Sequence, residues 1–227
     1  IGECRPGVER CDYGSLISTP AITPVEELCD ELDNDCDGLT DEDFPNEPKA
    51  VLIAIDLSGS MSNTLSALRS ALCDFAAGAQ SNSRFAVVSF GMMFDPPTYI
   101  AVQQDFGDAA ETCATVSQLM VSGGAEYALD AVLLAEGLTW PAGLPGTVLV
   151  LTDEPLQTLN SDSFFAVIEL CLSNPFELGV YTDPFYFPDW YGLTDTCGGF
   201  TDVLINDRHA FGQVLLERFF GYCNADN

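Results

Sequence analysis

The segment that decides the fold reads KAVLIAIDLSGSM and covers residues 49–61. Its first half is a continuous apolar run rich in aliphatic residues, which is typical of a strand buried on both faces of a sheet. Its second half carries the oxygen-bearing side chains of Asp56, Ser58 and Ser60 at alternate positions. Side chains of this kind at a strand end fit a serine nucleophile, a phosphate-binding loop or part of a metal site.

Apolar runs of the same kind recur along the chain and alternate with stretches of helical periodicity. The predicted strands are residues 50–56, 84–90, 98–104, 146–153, 177–183 and 201–207. Three predicted helices carry apolar residues on one face: Leu65, Leu68, Leu72 and Phe75 in the first, Leu129, Val132 and Leu133 in the second, and Phe211, Val214, Leu215 and Phe219 in the last. The alternation predicts an α/β domain with a doubly wound, mostly parallel six-stranded sheet and helices on both faces. The short connection between the second and third strands predicts a hairpin and hence one antiparallel edge strand.

Two of the three interpretations of the 49–61 segment fail on composition. The glycine patterns GxxxxGK[ST] and GxGxxG, which bring backbone amides close to phosphates, do not occur. The single histidine, His209, begins the last predicted helix, and Leu57 prevents a GxSxG nucleophile elbow. Hard oxygen ligands after a strand suit Mg²⁺ or Ca²⁺. The sequence therefore predicts a noncatalytic metal-binding protein rather than an enzyme.

The segment DLSGS, which follows an apolar strand, resembles the D-x-S-x-S motif of von Willebrand factor type A domains, where it forms the metal-ion-dependent adhesion site. The strand end LTDEP places Asp153 in a setting similar to that of the family's third-loop aspartate. The second loop departs from the pattern, because Ala125 stands where the family has a threonine. The next residues, EYALDAV at 126–132, are similar to the E-x-x-F-D-A-I stretch of integrin β-subunit I-like domains, which implies that Glu126 takes the ligand position.

This resemblance covers residues 49 to about 223 and implies a single divalent cation, Mg²⁺ or Ca²⁺ with Mn²⁺ as a further option. An acidic group of a protein partner would complete its coordination. The implied metal ligands are Asp56, Ser58, Ser60, Glu126 and Asp153.

An aromatic stretch, YTDPFYFPDWYG at 181–192, follows the fifth predicted strand and is expected to form a loop at the same end of the sheet. One interpretation is that its side chains pack on one another and cover the sheet end. The other is a ligand-binding rim built from Tyr181, Phe185, Tyr186 and Trp190.

Residues 1–44 form a separate cysteine-rich acidic module, joined by a linker at 45–49 to the domain at 50–223. The stretch LDNDCDGLTDED, residues 32–43, matches positions 1, 3, 5, 6 and 9 of a calcium loop. Its predicted ligands are Asp33, Asp35, Asp37, the Leu39 carbonyl, Asp41 and Glu42. At position 12, Phe44 replaces the usual glutamate. The module also resembles a secreted bacterial repeat with the pattern C-D-x-x-D-N-D-C-D-G-x-x-D-E, a metal-binding motif, which implies a small irregular fold braced by disulfides and calcium.

Overall charge and cysteine usage limit the classes of partner. The chain has 35 acidic and 7 basic residues, a formal net charge of −28, which excludes nucleic acid as a partner and argues against binding to anionic membrane surfaces. Nine cysteines without zinc-type spacing favour disulfides outside the cytoplasm, and their odd number leaves one thiol free or paired beyond this sequence. No apolar stretch is long enough to insert in a membrane.

Together these features predict a secreted or cell-surface bacterial protein, or a part of a larger one, that adheres to a carboxylate-bearing partner through a metal. The alternative is a structural calcium-binding protein of surface assemblies, without ligand exchange at the metal.

Overall fold

The computed structural model describes residues 8–13, 15–19, 23–24, 35–36, 47–91, 99–174 and 176–220. The chain divides into two compact units. The smaller comprises Ile1–Asn46 together with Glu217–Asn227, and the larger comprises Glu47–Leu216.

The smaller unit contains an antiparallel hairpin of β1 (Val8–Asp12) and β2 (Ser15–Thr19). The turn between them includes Tyr13, which has a positive φ of 48°. Cys11 carries an exposed free thiol. Of the predicted calcium ligands, Asp35 is described and half-buried. The others lie outside the described residues: Asp33, Asp37, Leu39, Asp41 and Glu42.

The larger unit is built on a six-stranded sheet. Its strands are β3 (Ala50–Asp56), β4 (Arg84–Phe90), β5 (Ile100–Gly107), β6 (Gly146–Leu151), β7 (Phe176–Thr182) and β8 (Phe200–Val203). Their order across the sheet is β5-β4-β3-β6-β7-β8, and every neighbouring pair is parallel except β4 and β5. The predicted fold class, a mostly parallel α/β sheet with one antiparallel edge strand, is confirmed.

Strand β3 lies inside the sheet, between β4 and β6. All seven of its residues are buried, as its continuous apolar sequence predicts. It pairs with β4 on one side and with β6 on the other, in registers that bring Asp56 opposite Phe90 and Ile55 opposite Leu151. The carboxyl ends of the three central strands therefore meet at one edge. Ligand sites of open α/β sheets form at this edge.

Helices cover the sheet. They are α1 (Leu65–Gly78), α2 (Ala109–Gln118), α3 (Ala128–Leu133), α4 (Ser163–Ser173), α5 (Phe187–Thr196) and α6 (Arg208–Phe220). Sequence periodicity identified α1, α3 and α6 but not the other three. In α2 the apolar stripe is thin, and the helix begins instead at a capping box in which Asp108 and Glu111 satisfy each other's backbone amides.

The aromatic stretch that was expected to be a loop folds as a short 3₁₀ turn and then α5. Its prolines stand in the first turns of these helices, where the missing amide has no helical partner to lose. The interpretation of Tyr181 and Trp190 as rim residues is wrong, because both side chains are fully buried. The Tyr181 ring packs on Phe200 and Phe211. These two aromatics belong to the core and cannot contact a partner.

Two disulfides join neighbouring helices: Cys73–Cys113 links α1 to α2, and Cys171–Cys197 links α4 to α5. They close loops of 40 and 26 residues, and loops of such length correspond to a stabilisation of about 4 kcal/mol each. Within the described ranges, no helix has the length and hydropathy that a membrane span requires.

Candidate metal site at the carboxyl end of the sheet

The predicted ligands occupy three loops at the carboxyl edge of the sheet. Asp56 is the last residue of β3, and Ser58 and Ser60 stand in the turn that follows it. Asp153 comes two residues after β6, and Glu126 two residues before α3. The parallel arrangement of β3 and β6 accounts for the meeting of the first and third loops.

Hydrogen bonds join the side chains of the first and third loops. The hydroxyl oxygens of Ser58 and Ser60 lie 2.8 Å apart. Ser60 Oγ also donates to Asp153 Oδ1 at 2.8 Å, although the two residues are 93 positions apart in the chain. Ser58 is buried, Asp153 is half-buried and Ser60 is exposed, so this group of oxygens opens to solvent.

The Asp56 carboxylate is the buried part of the group. Its Oδ1 accepts a hydrogen bond from the Ser58 amide at 2.7 Å, and its Oδ2 accepts one from Thr152 Oγ1 at 2.7 Å. Burial raises the pKa of Asp56 from 3.8 to about 6; the hydrogen bonds from Thr152 and Ser58 oppose the increase, and the Asp153 charge adds to it. A buried carboxylate surrounded by hydroxyl and carboxylate oxygens fits a hard divalent cation, which would compensate its charge.

Gly91, which the sequence interpretation did not single out, allows the first loop to pack against the end of β4. Its φ is +72°, and a Cβ atom there would lie 2.5 Å from Asp56 Oδ1 and 2.8 Å from the Ser58 amide nitrogen. The Leu57 amide donates to the Phe90 carbonyl at 2.8 Å, immediately beside this glycine. A glycine directly after a predicted strand was the available signal.

Glu126 lies in an acidic region beside these oxygens. Burial raises the pKa of Glu154, and the charges of Glu126 and then Asp153 add to the increase. No hydrogen bond joins Glu126 to Asp56, Ser58, Ser60 or Asp153, all of which are described residues. Across the described ranges, no group of three or more His, Cys, Asp or Glu side chains is placed to hold a metal ion. The metal-ligand role of Glu126 therefore stays a prediction.

Asp130, from the EYALDAV stretch, links α3 by hydrogen bonds to residues 158–163, which follow the third loop. Its carboxylate accepts hydrogen bonds from Thr158 Oγ1 at 2.9 Å, the Leu159 amide at 2.7 Å and Ser163 Oγ at 3.0 Å. The second loop is also held to the first, because the Ser122 amide donates to the Leu57 carbonyl at 2.9 Å. The three loops thus form one hydrogen-bonded assembly.

A groove of about 440 Å³ adjoins the first loop and shares Leu57 with it. We call it the neutral groove, since none of its described lining residues is charged. Its other lining residues are Gln103, Thr115, Gln118, Leu119, Met120, Val121 and Ser122.

Phe185, one of the predicted rim residues, lies after β7 and is 81% exposed, and its ring packs against Tyr186. The rim role of these two residues stays a prediction.

The raised pKa of Asp56 predicts that the metal-free protein loses stability as the pH rises. The folded pKa of about 6 exceeds the ordinary value of 3.8, so between these values the folded state binds more protons than the unfolded state. The free energy of unfolding should fall across this window by up to about 3 kcal/mol and then level off. Urea unfolding of metal-depleted protein from pH 4 to 7 measures it, with Asp56→Asn as the control; parallel profiles for the two proteins would contradict the shift.

Comparisons with known proteins agree with this architecture. Residues 51–155 match the family model described as von Willebrand factor type A domain. Among solved structures, the chain is similar to a von Willebrand factor type A protein from Catenulispora acidiphila, with a TM-score of 0.61 and 18% identity over 76% of this chain and 42% of that one. The chain thus spans less than half of that relative.

A second similar structure is an aerotolerance-related membrane protein from Bacteroides fragilis NCTC 9343, solved with multiple mutations to serines. The TM-score is 0.54 and the identity 15%, over 73% of this chain and 96% of that one. No curated protein matches the chain. At such identities the structural likeness concerns the fold, which is that of a von Willebrand factor type A domain. Domains of this type commonly mediate adhesion or protein interaction.

Proposed function

Taking a von Willebrand factor type A fold as the premise, we propose that the larger unit is an extracellular, noncatalytic binding domain. It recognises an acidic group of a protein partner through a divalent cation at the carboxyl edge of the sheet. The observation that carries the proposal is the Ser60 hydroxyl, which lies within hydrogen-bond distance of both Ser58 Oγ and Asp153 Oδ1. Oxygen-bearing side chains from two separate loops are gathered around one point.

The residues that would hold the cation are Asp56, Ser58, Ser60, Asp153 and, from the second loop, Glu126. When bound, the cation supplies positive charge and an exchangeable coordination position for a carboxylate. The chain's own residues prepare the position: Thr152 and the Ser58 amide orient the Asp56 carboxylate, and Gly91 lets the first loop pack against it. Mg²⁺ and Ca²⁺ are the ions that this oxygen set favours, and Mn²⁺ is compatible with it.

The charge of the protein supports a cation-dependent mode of binding. An acidic partner approaches a chain with a formal net charge of −28 and is repelled unless positive charge is added at the contact. A divalent cation at an edge that opens to solvent supplies that charge locally. The described lining residues of the neutral groove add no carboxylate to the repulsion.

The disulfides of the domain support an extracellular location. Two disulfides join its helices, and such bonds persist mainly in oxidising compartments. We propose a bacterial secreted or cell-surface location, with the smaller unit binding Ca²⁺ through the 32–43 stretch as a structural brace. The exposed Phe185 and the adjacent Tyr186 would contribute to a rim around the partner.

A structural metal site without ligand exchange is the alternative, and water relaxation separates the two. With Mn²⁺ bound, acetate should lower the water proton relaxation rate, because a carboxylate displaces coordinated water. An unchanged relaxation rate, combined with a lower melting temperature after chelation, would support the structural role instead.

Glu126→Gln tests the second-loop ligand. We expect the affinity for Mg²⁺ in calorimetry to fall by about tenfold or more, since the variant removes one negative charge from the coordinating set. The matched control is Glu136→Gln, which changes the net charge equally at an exposed position after α3. Equal affinities in the two variants would remove Glu126 from the ligand set and leave the other four residues as the site.

A further inference from the structure

A second polar pocket lies away from the candidate metal site, against α1, the end of α2 and the start of α6. Its volume is about 270 Å³. Helix α1 contributes Ser66, Arg69, Ser70 and Asp74, whereas Ser117 comes from α2 and Arg208 from α6. We call it the α1 pocket.

Two of the seven basic residues of this acidic chain line the α1 pocket. Arg208 is paired with Asp74, with Nε 3.1 Å from Oδ2 and Nη2 3.5 Å from Oδ1. Among the lining residues that the structure describes, Asp74 is the single acidic one, and its charge is matched by Arg208. Because Arg208 and Asp74 compensate each other, the Arg69 guanidinium gives the described lining a net positive charge. The protein as a whole carries a formal net charge of −28.

A buried hydrogen-bond donor in the pocket lacks a partner. Arg69 Nε is buried and has no hydrogen-bond partner. Ser66 is exposed and Ser70 is half-buried, so their hydroxyls are accessible as further donors. Residues three and four positions apart lie on one face of a helix, so these three side chains point in the same direction from α1. A buried guanidinium nitrogen without an acceptor is unfavourable, and a bound anion would remove the penalty.

The helices that form the pocket are held together by a disulfide and by close packing. The Cys73–Cys113 disulfide joins α1 to α2 beside the pocket. On the other side, Gly212 allows α6 to approach α1 so closely that an added Cβ would lie 3.3 Å from the Ala71 carbonyl oxygen. A site with rigid walls loses little conformational entropy when it binds a ligand.

We propose that the α1 pocket binds a tetrahedral oxyanion, a sulfate or phosphate group. Arg69 would contact two oxygens of the anion through its planar fork of donors, and the Ser66 and Ser70 hydroxyls would donate to the others. A tetrahedral anion presents enough oxygens for all of these donors, whereas a carboxylate presents two. Arg208 contributes positive charge from the opposite wall while it keeps its pair with Asp74.

Calorimetric titration of metal-depleted protein with sodium sulfate, at constant ionic strength, tests the proposal independently of the metal site. Saturable binding is expected for the unaltered protein. Arg69→Gln should weaken it by about tenfold or more, as loss of a charge-assisted pair of hydrogen bonds implies. The double variant Ser66→Ala, Ser70→Ala should weaken it severalfold with the net charge unchanged.

The matched control is Arg84→Gln, which removes the same charge outside the pocket, where Arg84 donates to the Ser81 and Ser83 carbonyls. Absence of saturable binding, or equal weakening by Arg69→Gln and Arg84→Gln, would overturn the proposal. Should Arg69→Gln fail to fold, Arg69→Lys keeps the charge without the fork and is expected to bind sulfate more weakly. Titration with glucose 6-sulfate tells whether the natural ligand is a free anion or a sulfate ester on a larger molecule. Binding as tight as that of sulfate indicates the ester, and weaker binding indicates the free ion. Either outcome supports the oxyanion site.

Discussion

Asp56→Asn is expected to reduce the affinity for Mg²⁺ or Ca²⁺ by at least about a hundredfold, because it removes the one fully buried charge of the candidate site. The variant keeps the shape of the side chain, and an amide can still face Thr152 and the Ser58 amide. In the metal-free state it should be more stable than the unaltered protein at pH 7, by up to about 3 kcal/mol, because burial of the carboxylate raises its pKa to about 6. A single substitution would thus increase stability and remove the proposed function.

Calorimetry measures the first effect, and urea unfolding with and without Mg²⁺ measures the second. Asp195→Asn is the matched control, since Asp195 is exposed on α5 and away from the strand ends that carry the site. We expect the control to bind Mg²⁺ as the unaltered protein does. Unchanged Mg²⁺ affinity in Asp56→Asn would show that the cation binds elsewhere and would refute the proposed site.

Gly91→Ala is expected to destabilise the larger unit by about 3 to 5 kcal/mol, the sum of two separate costs. The first is the left-handed backbone conformation, with a φ of +72°, which disfavours any residue with a Cβ. The second is the close contact of that Cβ with Asp56 Oδ1 at 2.5 Å and the Ser58 amide nitrogen at 2.8 Å. Because the contact displaces the first loop, the fraction that still folds should also bind Mg²⁺ weakly.

Gly143→Ala separates the two costs. Gly143 has a comparable φ of +82°, but no atom lies within 4 Å of the position that its Cβ would take. The control should therefore lose about 1 to 2 kcal/mol from backbone strain alone. Equal free energies of unfolding in the two variants would mean that Gly91 is needed for its conformation and not for the approach of the first loop.

The central strands could be predicted because their local pattern and their environment agree. Residues 50–56 and 84–90 were predicted as strands, and β3 and β4 have these bounds. The third strand was predicted at 98–104, whereas β5 covers Ile100–Gly107. At the edge of the sheet only one side of the strand is paired, and the exposed polar residues of β5 leave its apolar pattern weak.

The aromatic stretch after β7 shows where local pattern misleads. Prolines and aromatics at 181–192 are typical of a loop, yet Trp190 belongs to the buried core on α5. Helix α4 was missed for a different reason. Its sequence SFFAVIELCLS is apolar along most of its length, so its buried face does not stand out from its exposed one.

Local spacing brought Asp56, Ser58 and Ser60 into one hypothesis, the family resemblance added Asp153, and the structure gathers these four residues. The hypothesis did not include Thr152 and Gly91, because their roles depend on contacts with Asp56 that are distant in the sequence. Thr152, for example, is 96 residues away from Asp56. A threonine directly after a strand has no distinctive local pattern, and a glycine after a strand does not by itself indicate which loop it contacts. Their partners become visible only when the ends of the parallel strands are adjacent.

By itself, therefore, the sequence determined the fold class and the chemical type of the first loop, and the family resemblance added Asp153 of the third loop. These features depend on residue type and periodicity, which act over a few neighbouring positions. Only the tertiary structure decided that Tyr181 and Trp190 are buried, that Gly91 supports the Asp56 loop and that Arg69 and Arg208 line one pocket. Burial and proximity arise from packing between distant segments, and no local pattern records which segments will meet.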